Sequence, residues 1–231
     1  MRRERHIHRS RRNPPASSLT MARRIFLAGA TGVLGMRLVP LLLANGHTVA
    51  GMTRSPQKAD LLRGLGAEPV VCDVYDRTAL DDAVLGFRPD VVIDELTDLP
   101  DDRSLISTYV AANARMRRVG GRNLLAATLT AGRSRILAQS VAWELEGDGG
   151  AAVAEHERAV LEAGGVVLRY GRFYGPGTYF EREPPPAPRI HVDEAARRTV
   201  SALDARAGVV TLVEDEVGRD WQRLDYREGR G

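Results

Sequence analysis

The 231-residue sequence has a single cysteine, Cys72, and a single lysine, Lys58. One cysteine excludes an intrachain disulfide and a cysteine-based zinc cluster, and it fits a reduced, cytoplasmic setting. Cys72 itself reads as a core thiol. No uncharged apolar run approaches the roughly 18 residues a membrane span needs, so no membrane partner is expected. Excess positive charge is also missing from most of the chain. The formal net charge is +3, but residues 1 to 20 hold six Arg and one Glu, or +5, which leaves −2 for residues 21 to 231.

The basic character therefore belongs to "MRRERHIHRSRRNPPASSLT", which has almost no apolar content and is expected to be disordered. It reads as an extension upstream of a natural start at Met21. The other reading is a nucleic-acid or targeting arm, and no nucleic-acid partner is expected. The end, 214–231, is a charged, glycine-punctuated tail in which Trp221 is the one candidate for docking.

From Ile25 onward, short β-type apolar runs alternate with helical patterns, as in a parallel sheet with crossover helices. The expected strands are 25–29, 48–52, 69–73, 90–94, 135–139, 166–170 and 209–213. Together they predict a single α/β domain over 21–213, a Rossmann-type doubly wound sheet of about seven strands. One long helical region is expected from about 103 to 131 and a shorter one at 151–163. "EREPPPAPR" at 181–189 is an extended loop.

The stretch "RRIFLAGATGVLG" (23–35) admits two readings. Paired arginines before an apolar run resemble an export signal, but Arg37 and Pro40 interrupt that run and no convincing cleavage site follows. Spaced Gly29, Gly32 and Gly35 between a strand and a leucine-rich helix instead fit a dinucleotide turn. There glycine permits the tight bend, the close approach of pyrophosphate and the packing of helix on strand. Phosphate would meet the helix start at Val33 and Leu34, with the Thr31 hydroxyl as an added contact. An NAD-selective chain places an acid at the end of the second strand. This one has "AGMTRS", with Arg54 where a 2′-phosphate would sit, so NADP is expected over NAD; the plainer reading of Arg54 is a solvated residue. Asp73, with Val74 beside it, is placed to accept from the adenine amino group, or else to form a turn.

With these residues in order, the chain resembles the short-chain dehydrogenase/reductase superfamily of extended or atypical type, the NAD-dependent epimerase/dehydratase family. The resemblance spans residues 24 to about 213 and rests on "GATGVLG", "VVCDVYD", "NARMRRVGGRNLLAAT", "LAQSVA", "VVLRYGRFYGPGT" and "IHVDEAARRTV". It implies that Ser140 polarises the substrate oxygen, that Leu96 and Thr97 line the cofactor ribose, and that Gly171 and Phe173 approach the nicotinamide. It also implies a Tyr and, four residues later, a Lys, and here the chain departs: no Tyr or Lys occurs between Ser140 and Arg169. That rules out the usual proton relay. His156 and Tyr174 are the candidate replacements, Tyr170 less so. Glu144, Glu155 and Glu157 read as solvated helix carboxylates.

Five acids, Asp94, Glu95, Asp98, Asp101 and Asp102, follow the fourth strand without ligand spacing or a histidine partner, so no metal is expected. The family's substrate region is reduced here to a proline-rich loop, which argues against a nucleotide-sugar pocket. The expected function is an NADP-binding, atypical oxidoreductase or epimerase/dehydratase-like enzyme acting on a small carbonyl or alcohol. The alternative is a non-catalytic NAD(P) sensor or scaffold. By resemblance, helices 103–131 and 151–163 are the pair through which a homodimer would form.

Overall fold

Strand β1 (Arg24–Ala28) sends Ile25 and Leu27 to one face of a sheet and Phe26 and Ala28 to the other, all fully buried. A strand covered on both faces is what a parallel sheet requires, and it explains why these runs are continuously apolar rather than alternating. The structure is a computed structural model that describes residues 21–132 and 134–214; the basic extension and the C-terminal stretch with Trp221 lie outside the described residues.

After β1 the chain runs through α1 (Gly35–Ala44), β2 (Thr48–Thr53), α2 (Pro56–Leu65), β3 (Glu68–Val71), α3 (Arg77–Phe87) and β4 (Val91–Asp94). A 3-10 segment (Arg103–Tyr109) leads into α4 (Val110–Arg115), a π-helical turn (Met116–Gly121) and α5 (Arg122–Thr130). Then come β5 (Arg135–Val141), α6 (Gly147–Glu162), β6 (Val166–Tyr170), β7 (Arg172–Tyr174), β8 (Arg189–His191), α7 (Val192–Ser201) and β9 (Gly208–Leu212). The main sheet has seven parallel strands in the order β3-β2-β1-β4-β5-β6-β9, and β7 and β8 form a separate pair. Strand order reverses between β1 and β4, and it is at the carboxyl edge of such a switch point that doubly wound sheets bind ligands.

Local signals place most boundaries. Gly46, at φ +81°, ends the first helix by donating to the Leu43 carbonyl. Ser55 caps α2 by accepting from the Lys58 amide, with Pro56 at the first helical position. On one side of the sheet Leu38 and Leu42 of α1 and Ala196 of α7 share a core with Leu168; on the other, Leu80 of α3 and Leu124 of α5 share one with Val92. Each large apolar side chain among these contributes about 1.5–3 kcal/mol on leaving water.

Four expectations are corrected. β3 ends at Val71, so Asp73 stands in a loop. The long helix expected over 103–131 is broken by the 3-10 entry and the π turn. At that turn Gly120 and Gly121 let two other elements come close: a Cβ on Gly120 would sit 2.8 Å from Met116 Sδ and 2.9 Å from Val74, and one on Gly121 2.5 Å from the His156 ring. α6 starts at Gly147, earlier than expected, because Gly150 packs its backbone on the Leu145 carbonyl and carries no apolar signal. The short β7 and β8 fall where the sequence reads as loop, since three-residue strands leave no periodicity to detect.

Candidate functional site

Gly29 has φ +80°, and a Cβ there would stand 2.6 Å from the Glu95 carbonyl oxygen beyond β4. A Cβ on Gly35 would stand 2.3 Å from the Gly29 carbonyl, so both glycines are demanded by the protein's own backbone. Gly32 differs: its Cβ would meet only the Gly29 carbonyl, at 3.3 Å. The missing side chain at Gly32 is thus left to a ligand's approach at the positive end of α1, where the Gly32, Met36 and Arg37 amides donate to the Gly29, Gly32 and Leu34 carbonyls of the turn itself. This cradle fits a dinucleotide pyrophosphate, with Val33 and Leu34 in the turn that would face it. The Thr31 hydroxyl lies 3.1 Å from the Thr53 hydroxyl, tying the turn to the end of β2.

Arg54 follows β2 and is half-exposed, with Asp98 Oδ1 3.9 Å from its guanidinium, the outer limit of an ion pair. Asp73 uses Oδ1 to accept from the Tyr75 amide at 2.9 Å, as a turn-forming acid does, and stays exposed. Val74 is buried, its carbonyl accepting from the Asn123 side chain. The Arg115 guanidinium lies 4.0 Å from the centre of the Tyr75 ring. Beyond β4, Leu96 is partly buried and its carbonyl accepts from Gln139 Nε2 at 2.7 Å, while Thr97 is exposed. Gly171 is buried with its Cα against the Arg189 backbone, and Phe173 meets the Tyr170 ring edge-on at 5.3 Å.

Ser140, in β5, is 1% exposed and donates its hydroxyl to Glu157 Oε1 at 2.5 Å. Glu157 is also gripped by Arg169 from β6, through Nε at 2.9 Å and Nη2 at 2.5 Å. Burial acts to raise the Glu157 pKa, but the Arg169 and Ser140 hydrogen bonds and the charges of Arg169 and Arg117 outweigh it and hold the carboxyl below the ordinary range. The Ser140 proton is therefore committed to a carboxylate in this state. A cavity of ≈ 390 Å³ opens over this group, lined by Trp143, Glu144, Val153, Glu157 and Arg169 among others.

Beside it, His156 Nε2 lies 3.3 Å from Asp94 Oδ2, both side chains buried, and Asp94 Oδ1 accepts from the Leu96 amide. The expectation that Glu157 is a solvated helix carboxylate is corrected: it is buried, and beside it His156 packs its ring on Gly121. Glu155 does face outward, paired with Arg118, and Glu144 is exposed. The buried Arg117, donating to the Gln139 carbonyl at 3.4 Å, faces Asp94, Glu157 and Glu95; burial pulls its pKa down against the pull of the Asp94 and Glu157 carboxylates. Sequence reading missed Arg117, because only the π turn brings an arginine of "RMRR" inward. Tyr174 donates to Glu214 Oε1 at 2.5 Å, and this bond, then burial, pushes its pKa up to about 12.

Asp98 and Asp102 face Arg54 and the start of the 3-10 segment, so the acids after β4 have separate tasks. Among the described residues no helix is long and apolar enough to cross a membrane.

A family model described as NAD(P)H-binding matches residues 29–163. A "3-diazoavenalumate denitrifying reductase" from a Streptomyces species is 34% identical over 84% of this chain and 76% of its own length. Among solved structures, a UDP-glucose 4-epimerase from Thermus thermophilus in complex with NAD is 20% identical, with a TM-score of 0.66 over 82% of this chain and 77% of that one. A Thermotoga maritima UDP-glucose 4-epimerase with UDP-glucose is 18% identical, with a TM-score of 0.68 over 82% and 76%. At these identities the two epimerases share the fold with this chain. With the switch-point cradle, these matches make the chain a member of the NAD(P)H-binding family, an oxidoreductase-type enzyme with the fold of the two epimerases.

Proposed function

We propose that the protein is an NADPH-dependent reductase of a small acceptor that takes up one hydride and one proton. The observation that carries this is the pairing of the glycine turn, open at Gly32, with a polar cluster of buried Ser140, Glu157 and His156 and half-exposed Arg169 at the same sheet edge. When bound, the cofactor supplies the hydride. Gly32 and the α1 start would hold its pyrophosphate and Arg54 its 2′-phosphate. Asp73, Val74, Leu96 and Thr97 would border the adenosine and ribose, and Gly171 and Phe173 the nicotinamide. Arg54 supports NADP over NAD because Asp98 holds it only at 3.9 Å.

The missing Tyr and Lys leave the proton to other groups. Ser140 orients the acceptor once it releases Glu157, and His156, held by Asp94, would give the proton. Tyr174 is the other candidate donor; its proton is held by Glu214. A carbonyl takes hydride on carbon and the proton on oxygen, giving an alcohol. The Streptomyces relative favours a second acceptor class: a diazo carbon, R2C=N2, which with one hydride and one proton gives R2CH2 and N2 as the C–N bond breaks. The reduced loop after β7 supports a small acceptor over a nucleotide sugar.

The test is NADPH consumption against two panels, carbonyl compounds and diazo compounds, with nitrogen release measured for the second. Tight NADPH binding with no turnover on either panel would replace the reductase by a non-catalytic dinucleotide sensor. Equal or tighter binding of NADH would remove the NADP assignment.

A further inference from the structure

A count of protons in one buried network leads to a property of the cofactor site. The Thr199 hydroxyl donates to the Ala195 carbonyl at 2.7 Å, which uses its only proton. The Tyr170 hydroxyl lies 2.7 Å from Thr199 Oγ1, so the proton in that bond must be Tyr170's. Tyr170 also lies 2.9 Å from Glu95 Oε1, and no proton is left for this third bond unless Glu95 brings it. Three bonds need three protons, and two hydroxyls supply two. Were Tyr170 to donate to an ionised Glu95, the single Thr199 proton could not serve both Tyr170 and the Ala195 carbonyl, and one of those two 2.7 Å contacts would be two oxygens facing without hydrogen.

Glu95 is joined to the phosphate cradle by its backbone. Its amide donates to the Ala28 carbonyl, and its own carbonyl is the atom that a Cβ on Gly29 would strike. It is the first residue after β4, at the switch point where a dinucleotide's negative charges arrive. We propose that Glu95 is a neutral carboxylic acid that donates to Tyr170, and that dinucleotide binding requires it to stay so: the site takes the cofactor together with this proton and loses affinity when Glu95 ionises. The proposal rests on reading the glycine turn as the phosphate site.

The charges facing Glu95 agree. Burial comes first in pushing its pKa up, to about 8; the neighbouring Asp94 carboxylate adds to that, and Arg117 from the π turn opposes it. A Tyr170 hydroxyl turned toward the ionised form would also oppose it, but that proton is committed to Thr199. A bound anion adds to Asp94, so cofactor binding raises the pKa further and draws in a proton.

The experiment is calorimetric titration of the full-length protein with NADPH from pH 6.5 to 9.5, in buffers of low and high ionisation heat, for the natural protein and Glu95→Gln. The glutamine amide still donates to Tyr170 but does not titrate. In the natural protein the expected affinity is flat below about pH 7 and falls about tenfold per pH unit well above 8, with an uptake near half a proton at pH 8. Glu95→Gln is expected to bind as the natural protein does at pH 6.5 and to keep that affinity at pH 9. Binding at pH 6.5 with no fall by pH 9.5, or the same fall in both proteins, overturns the proposal alone. No binding at any pH overturns the cradle reading and the proposal with it. A readout independent of cofactor is the infrared band of a protonated carboxyl at pH 7, expected in the natural protein and reduced in Glu95→Gln; an unchanged band also overturns the proposal.

Discussion

Replacing Glu157 by Gln removes the one carboxylate that joins β5, β6 and α6 at the site, since it accepts from Ser140 and from two nitrogens of Arg169. Breaking a fully buried pair costs roughly 3–5 kcal/mol. Here the Arg169 side chain is 42% exposed, against 11% for Glu157, so water compensates part of the loss and about 2 kcal/mol remains. For a domain of this size that lowers the melting temperature by roughly 4–8 °C. The pH dependence has a definite sign. The folded Glu157 pKa is depressed, so its contribution is present above the unfolded carboxylate pKa and disappears as pH falls through the lower folded value. The assay is urea denaturation of both proteins at pH 7 and at steps down to pH 3. The gap is expected at full size near neutrality and shrinking below about pH 4. A gap that is absent at pH 7, or that persists undiminished at pH 3, would refute the assignment of Glu157 as an ionised, arginine-bound carboxylate.

Arg54→Ala is expected to weaken NADPH about tenfold, the worth of one partly exposed charge-assisted hydrogen bond, and to leave NADH unchanged in fluorescence titrations. Gly29→Ala puts a Cβ 2.6 Å from the Glu95 carbonyl in a backbone region that costs an alanine roughly 1–2 kcal/mol, so dinucleotide binding should disappear and thermal stability should fall. Tyr174→Phe deletes the bond to Glu214 at a cost of about 1 kcal/mol, with turnover kept. A loss of turnover of about a hundredfold or more would instead make Tyr174 the proton donor. His156→Asn should give that loss while stability measured by urea stays within about 2 kcal/mol of the natural protein.

Sequence periodicity was enough for the parallel sheet, because its strands are buried on both faces and so announce themselves as runs such as "IFLA" and "VVLRY". The cofactor turn was legible for a related reason: Gly29 and Gly35 are imposed by backbone contacts within a few residues of the turn or across one strand. The absence of a Tyr–Lys pair likewise needs no coordinates. What stands in its place could not be read this way. Glu157, His156 and Glu95 look like solvated acids and an ordinary histidine in one dimension, since a charged residue on an amphipathic helix or after a strand is usually exposed. Their partners are distant in sequence: Glu157 meets Ser140 and Arg169, His156 meets Asp94, and Glu95 meets Tyr170. Only the folding of β4, β5, β6 and α6 onto one sheet edge removes these groups from water. With water gone, each must find a partner or keep its proton, and that choice belongs to the tertiary structure alone.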